Sequence, residues 1–498
     1  MLHRCGTAPR TPNHQRLAAT MARLGLASCL GIGAAVAAVP AVAVPDSQDF
    51  SASSGASVGP VDFLNSYQHS AFLLGNMFGL RTWMSRYGAS LGVEETSEVL
   101  GNVTGGYKRG FEYDGLMQAA LQVDSSRALG IYGGTFNASG LWLQGRNLSV
   151  DHLGTLQTAS GISGDRAVRL WELWYQQKFL EEDRLDIRVG QQSIDQEFMF
   201  SQNASYFVNT MMGWPMLPSA DMPGGGPAYP LSALGVRLRV RPADPITILA
   251  GVYNGAPAYD TSVDAQKNNP YGLSFPLNGG VLAIAELQFA YPSLGSMVSP
   301  DHADPLSCLY KIGFWYDSED FDDQRYDTSG LSLADPNTTG TPQSHRGNYS
   351  GYVVGDQMIW HAAEDSDRNI NLFLRAMYTP KADRNLIAFS VNGGLTFHEP
   401  IRHRDDDTFG LGFGYTRVST QASGLDQDTA TVSGTSYPVR SGETFVEATY
   451  QYEVFPWWQL QPDVQYVIKP GAGIPNPDGS GDTVKNELVL GIRTNVIF

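Results

Sequence analysis

The feature that most constrains this chain is a period-two alternation of apolar and polar residues, repeated along most of its length. Residues 234–241 read Leu-Gly-Val-Arg-Leu-Arg-Val-Arg, and residues 185–190 and 409–416 alternate in the same way. A period of two places successive side chains on opposite faces of a β-strand. Each such segment therefore predicts a strand with one apolar and one polar face.

The apolar faces require either a second sheet, as in a soluble sandwich, or lipid, as in a membrane-spanning barrel. No stretch after residue 43 approaches the roughly 18 uninterrupted apolar residues of a spanning helix, so a closed barrel is the remaining way to span. We predict an all-β fold, a transmembrane antiparallel β-barrel of about 16 strands. The predicted strands start near Ser90, Phe111, Ala128, Ala167, Arg184, Ser232, Ile246, Gly280, Cys308, Ser350, Asn369, Asn385, Thr408, Gly442, Trp457 and Lys485.

The N-terminal residues have the composition of a secretory signal peptide. Residues 1–43 contain four arginines, no acidic residue, an apolar run and a closing Ala-Val-Ala. Translation from Met21 rather than Met1 would leave a compact Met-Ala-Arg before the apolar run, and we expect that start. The predicted organisation is a signal peptide at 1–43, a flexible tether at 44–60, a periplasmic lead-in segment at 61–89 and the barrel at 90–498.

Charge and cysteine content exclude several functions. The chain has 33 Lys and Arg against 50 Asp and Glu, a net charge of −17, which disfavours nucleic-acid binding. Removal of residues 1–43 leaves only Cys308, so neither an intrachain disulfide nor a thiolate metal site is possible. The acidic runs at 405–407 and 478–482 are interpreted as solvated turns. We predict no metal, no cofactor and no enzymatic activity, because no nucleophile and base are paired by the pattern.

The last strand supports an outer-membrane location. Residues 488–498 alternate and the chain stops on Phe498, which is typical of the C-terminal strand of outer-membrane barrels. We therefore predict the bacterial outer membrane. With both termini in the periplasm, the connections after odd-numbered strands face the outside.

Several short runs occur in a fixed order along residues 61–498. They include LGNMFGLR at 74–81, GRNLS at 145–149, GWP at 213–215, GPAYP at 226–230 and LQPDVQY at 460–466. This ordered set resembles the carbohydrate-selective porin (OprB) family. The resemblance implies a sixteen-stranded outer-membrane barrel through which sugars diffuse passively.

One long segment interrupts the alternation. Residues 192–231 contain five prolines, a triple glycine and six aromatic residues. A segment of this length is usually functional or disordered, and so many aromatic side chains favour packing over disorder. We predict that residues 192–231 form the third external loop and that this loop folds inward to narrow the pore. The alternative is a surface cap over the mouth.

The lumen-facing parity of the strands predicts a constriction of mixed charge. A sugar offers hydroxyls and no net charge, so a selective site needs donors, acceptors and aromatic faces, with charges of both signs. The alternative is that the arginines only tie neighbouring strands together by ion pairs. Parity also places Arg241, Lys311, Arg375 and Glu447 in the lumen. The predicted constriction residues are Arg188, Arg237, Arg239, Glu172, Asp186, Glu286, Lys178, Trp174 and Trp315.

These observations predict a porin for the passive, selective diffusion of mono- or disaccharides through a water-filled pore. One alternative is a general or anion-preferring porin for small solutes, and another is a non-conducting adhesive or structural barrel. The expected partners are small sugars, outer-membrane lipid and lipopolysaccharide, but no nucleic acid. The parity of the strands does not distinguish a monomer from a homotrimer, because an apolar outer face suits lipid and a second subunit equally.

Overall fold

The computed structural model describes residues 70–260, 264–292, 306–362, 368–434, 436–478 and 481–498. The predicted signal peptide, the tether and residues 61–69 of the lead-in segment lie outside the described residues.

Sixteen antiparallel strands close into one barrel, in which each strand pairs with its neighbours in sequence and the first pairs with the last. The predicted class and strand number are confirmed. The strands are β1 (Ala89–Thr104), β2 (Gly110–Asp124), β3 (Gly134–Gly145), β4 (Ala167–Phe179), β5 (Leu185–Gln192), β6 (Ala233–Ala243), β7 (Ile246–Asn254), β8 (Val281–Tyr291), β9 (Cys308–Asp327), β10 (Pro342–His361), β11 (Asn369–Tyr378), β12 (Ile387–His398), β13 (Thr408–Val418), β14 (Gly442–Phe455), β15 (Trp458–Ile468) and β16 (Glu487–Ile497).

Helices are short and lie in the connections and the lead-in segment. Within the described part of the chain, none is long and apolar enough to cross a bilayer. The α-helices are α1 (Leu80–Ser85), α2 (Ser125–Leu129), α3 (Thr210–Gly213), α4 (Met216–Asp221), α5 (Ala265–Asn268) and α6 (Thr420–Ser433). Single turns of other helix types are Met77–Gly79, Ser149–Leu153, Glu181–Asp183, Ile194–Gln196, Asn203–Tyr206, Pro223–Gly225 and Pro470–Ala472.

Two predicted strand starts are wrong. The third strand does not begin near Ala128, because α2 occupies that stretch and Asp124 caps it by accepting a hydrogen bond from the backbone N–H of Ser126 at 2.7 Å. The tenth strand begins at Pro342, well before Ser350. Strands β9 and β10 are each 20 residues long, and this hairpin extends past the neighbouring strands.

The alternation separates an outer face from a lumen face. On β6, Val236 and Leu238 are 46% and 38% exposed, whereas Arg237 between them is 0% exposed. A shift of the β6 register by one residue would place the Arg237 side chain in lipid, which costs about 2–4 kcal/mol near the membrane centre. The register of the charged strands is therefore strongly specified.

The two ends of the barrel differ. At the terminal end, which we define by the described chain termini, the Leu73 backbone N–H bonds to Ile497 O at 2.8 Å and the Arg81 side chain binds Phe498 O. Most connections at this end are short. At the opposite end, the loop end, lie the long connections 146–166, 193–232, 255–280, 328–341, 419–441 and 469–486.

The largest apolar core lies inside the barrel. Residues 193–232, here called the inner segment, connect β5 to β6 and contribute Phe198, Phe207 and Leu217 to this core. The opposing wall contributes Phe373, whose ring centroid lies 5.5 Å from that of Phe207. The aromatic side chains of the inner segment are therefore packed against strands far from β5 and β6.

Candidate functional site

Charged wall residues on the far side of the barrel hold the backbone of the inner segment. The Met199 N–H donates to Glu286 Oε2 at 2.9 Å, and the Val208 N–H donates to Glu447 Oε1 at 2.6 Å. The Arg375 guanidinium donates to the carbonyls of Met199 at 3.1 Å and of Gly213 at 2.9 Å, as well as to those of Met211 and Met212. Buried charges of both signs are thus satisfied by backbone groups.

Strands β5 and β6 carry an ion cluster next to the inner segment. Their register sets Arg188 opposite Arg237 and Asp186 opposite Arg239. Two arginines directly opposite one another repel, so the pair needs nearby anions. Asp186 pairs with Arg237 and, at 2.6 Å, with Arg239 Nε. Glu197 of the inner segment pairs with Arg188 Nη2 at 3.2 Å and accepts from Arg237 Nη2 at 2.9 Å.

Trp174 and Glu172 support this cluster from β4. The Arg188 guanidinium carbon lies 4.0 Å from the centre of the Trp174 ring. The indole Nε1 donates to Glu172 Oε2 at 3.2 Å, and Glu172 Oε1 accepts from the Ser193 N–H at 3.1 Å. Parity predicts that Trp174 faces the lumen, where its ring could stack against a sugar. In the structure Arg188 covers one face of that ring instead.

A second polar group surrounds Glu286 on β8. Its Oε1 lies 3.6 Å from Lys311 Nζ, and its Oε2 accepts from the Tyr352 hydroxyl at 3.0 Å. Trp315 lies nearby on β9 but is 0% exposed within the apolar core. Glu286 thus connects the wall to the inner segment, whereas Trp315 belongs to the apolar core.

Lys178 lies opposite Asp186 in the register of β4 and β5, but its charge does not join the ion cluster. It lies near the terminal end of β4, where its Nζ pairs with Asp183 Oδ2 at 3.0 Å and its side chain is 30% exposed. The Lys178 side chain binds a carboxylate of the turn that follows β4, so correct parity does not determine the partner of a charged side chain.

A family comparison decides what kind of barrel this is. Residues 108–498 match the model of the family described as "Carbohydrate-selective porin, OprB family". The chain belongs to this family. It is a carbohydrate-selective outer-membrane porin, a channel without enzymatic activity, and the predicted family, location and function class are confirmed.

Known relatives agree with this assignment. The porin is 26% identical over 462 residues to Porin B of Pseudomonas aeruginosa, covering 86% of this chain and 92% of the relative. It is 22% identical over 433 residues to the putative porin QuiX of Acinetobacter baylyi, covering 82% and 91%. Its fold is similar to the high-pH structure of Pseudomonas putida OprB, with a TM-score of 0.75 at 20% identity, over 86% of this chain and 99% of that chain.

Sequence reasoning missed Glu197, the carboxylate that completes the ion cluster of the porin. The inner segment has no period, so parity could not place its side chains. Burial opposes ionisation of Glu197, but the attraction of Arg188, Arg237 and Arg239 outweighs it and lowers its pKa below the ordinary value. The one sequence signal for such a residue was the excess of arginine over carboxylate on β5 and β6, because this excess requires a further anion nearby.

Asp195 connects the two ends of the inner segment through hydrogen bonds. Its Oδ1 accepts from the Ser193 hydroxyl at 2.5 Å and its Oδ2 accepts from the Tyr229 N–H at 3.0 Å. Burial raises the pKa of Asp195 to about 6. This contact keeps the entry and exit of the inner segment adjacent, where β5 and β6 pair.

Proposed function

We propose that mono- and disaccharides cross this porin by passive diffusion, and that the water-filled path is narrowest beside the ion cluster of β4, β5, β6 and the inner segment. The observation that carries this proposal is the balance of fixed donors and acceptors in the cluster. Such a balance favours hydroxyl-rich neutral solutes over ions of either sign. The cluster comprises three arginines, Arg188, Arg237 and Arg239, and three carboxylates, Glu172, Asp186 and Glu197.

The members of the cluster have different roles in this proposal. The Arg239 and Glu197 side chains are 12% and 10% exposed, whereas Arg237 and Asp186 are 0% and 1% exposed. We assign contact with sugar hydroxyls to the first pair: Asp186 holds the Nε of Arg239, so its terminal donors serve the solute, and Glu197 supplies a carboxylate. The second pair orients them. Binding is weak in this scheme, since transport requires release as well as entry.

The inner segment forms the narrowing in this proposal. Its contacts with Glu286, Arg375 and Glu447 lie at mid-strand positions on β8, β11 and β14. A cap over the mouth would instead contact the strand ends and the neighbouring loops. These contacts therefore favour the constriction over the cap.

Planar-bilayer recording with purified porin tests this function. We expect steady single-channel current that glucose or a disaccharide blocks, together with liposome swelling that slows as the sugar grows. Arg239→Ala should weaken the block, whereas Lys178→Gln, a lysine outside the cluster, should not. A reversal potential set by chloride would indicate the anion-preferring alternative. No conductance at all would leave the structural barrel, and unchanged block in Arg239→Ala would remove that residue from the path.

We further propose lipopolysaccharide as a neighbour of the barrel and a monomer or homotrimer as its assembly. The apolar outer faces of the strands support contact with lipid and with a second copy alike. Chemical crosslinking in native membranes, followed by mass measurement, separates the two assemblies: one porin mass indicates the monomer and three the homotrimer.

A further inference from the structure

An open groove of about 570 Å³ lies at the loop end of β2, β3 and β4. Its lining includes Trp142, Val168 and Tyr113, all of them exposed, with Val168 at 64%. The neighbours of Trp142 in sequence, Leu141 and Leu143, are buried in a core cluster inside the barrel. The groove is therefore on the membrane-facing side of the wall and is separate from the sugar path.

Two arginines line the upper part of this groove. Arg166 Nε donates to Gly145 O at 2.7 Å, which fixes its guanidinium beside the end of β3. Gly145 has φ +103, and a Cβ there would collide with the Tyr113 carbonyl, so only glycine allows β3 to end this close to β2. The next residue, Arg146, is held by a backbone hydrogen bond from its N–H to Tyr113 O at 3.0 Å.

These cations lack acidic partners. Across the described ranges, no carboxylate oxygen lies within 4.0 Å of a side-chain nitrogen of Arg146, Arg166, Lys108 or Arg109, all exposed at the same rim. The nearby Glu112 instead bonds through Oε1 to His152 Nε2 at 2.9 Å. In a chain with 50 acidic and 33 basic residues, such a cluster of unpaired cations is complementary to an anion from outside the protein.

We propose that this groove binds the phosphate groups of a phosphorylated glycolipid of the outer leaflet, of the lipid A type. Guanidinium forks match phosphate oxygens, and the exposed Trp142 and Val168 below them offer an apolar wall to acyl chains. Arg146 follows the last residue of β3 and Arg166 precedes the first residue of the adjacent β4, so a lipid with two phosphates engages both. The inference rests on the proposed contact with lipopolysaccharide and is independent of the sugar path.

Native mass spectrometry of the detergent-solubilised full-length porin, titrated with diphosphoryl lipid A, tests the proposal. We expect the double variant Arg146→Gln/Arg166→Gln to bind this lipid about tenfold or more weakly, because it loses charge-assisted hydrogen bonds to phosphate. Arg417→Gln is the matched control, since Arg417 is also exposed, outward-facing and at the loop end, but on β13. It should bind as the unmodified porin does.

The lipid source is distinguished by three further probes. Dephosphorylated lipid A and phosphatidylglycerol should bind the unmodified porin more weakly than diphosphoryl lipid A, and inorganic phosphate at millimolar concentration should compete only partially. Equal binding of either lipid, or unchanged binding in the double variant, would overturn the assignment. Each single variant repeats the test should the double variant not fold. Sugar-blocked conductance should stay intact in all of them, which separates failure here from failure of the proposed sugar path.

Discussion

Replacement of Arg375 by methionine tests whether the inner segment is held in place by the wall. Arg375 is 1% exposed on β11, and its guanidinium donates to four carbonyls of the inner segment and to Asn392 Oδ1 at 3.0 Å. Methionine keeps much of the side-chain length and removes every donor. We expect the barrel to remain closed, because its strand pairing does not involve this side chain.

The size of the effect follows from those contacts. Hydrogen bonds to a charged group are worth about 1.5–3 kcal/mol each, but they are not additive, and water entering the lumen replaces part of the loss. The variant leaves buried carbonyls of the inner segment without a donor, and each such unsatisfied acceptor costs about 1–3 kcal/mol. For the four carbonyls together, with partial replacement by water, we expect about 3–5 kcal/mol. A cost of about 3–5 kcal/mol corresponds to an increase of roughly 10²-fold to several thousandfold in the population with a displaced inner segment.

Three measurements reveal this displacement. We expect Arg375→Met to increase single-channel conductance, to bring the swelling rates of liposomes in mono- and disaccharide closer together, and to admit protease between residues 193 and 232. Arg417→Met, an outward-facing arginine on β13, should behave as the unmodified porin. If conductance, sugar discrimination and protease resistance of Arg375→Met all match the unmodified porin, the anchoring role is refuted.

Three further changes probe the charges. Glu197→Gln leaves three arginines against two carboxylates in the ion cluster, so the reversal potential in a KCl gradient should shift toward that of chloride. Arg237→Ala removes the cation that Asp186 and Glu197 share. We expect weaker block of the current by sugar, whereas the heat-dependent shift in electrophoretic mobility, which reports a folded barrel, should be unchanged. Hydrogen bonds from Arg325 hold the pKa of Asp428 on α6 below the ordinary aspartate value of about 4. The contact therefore stabilises α6 fully at pH values above about 4, and this stabilisation is lost as the pH falls through the lowered pKa. The protection factors of the backbone amides of residues 420–433, which correct for the intrinsic exchange rate at each pH, should fall on acidification, and Asp428→Asn should abolish that dependence.

The barrel could be predicted from the sequence because each strand carries its own evidence. Lipid on one side and water on the other make a wrong register expensive, so alternation specifies the face of each residue. The prediction failed near Ala128, where local capping by Asp124 starts a helix in a stretch whose composition also suits a strand. The predicted start of β10 was also too late in the chain. A hairpin that extends beyond the membrane has no apolar face there, so alternation does not mark that part of its strands.

The candidate site could be predicted only in part, because parity assigns a side chain to a face of the sheet and does not identify its partner. Arg188, Arg237 and Arg239 do converge, since β5 and β6 are adjacent in sequence and in space. Lys178 has the same parity and lies opposite Asp186, yet its Nζ pairs with Asp183 in the turn after β4. The contact of Arg375 with Met199 spans 176 residues, and nothing in the local pattern of either residue encodes it.

The irregular inner segment determines which lumen charges remain available to a solute. Arg375, Glu286 and Glu447 share the parity of Arg239, but their polar atoms bind the backbone of the inner segment. These three side chains are also at most 2% exposed, so a solute in the lumen cannot reach them. The charges left for solute are therefore few, with Arg239 and Glu197 the most exposed of the ion cluster, and selectivity changes should be sought there before they are sought along the rest of the charged wall.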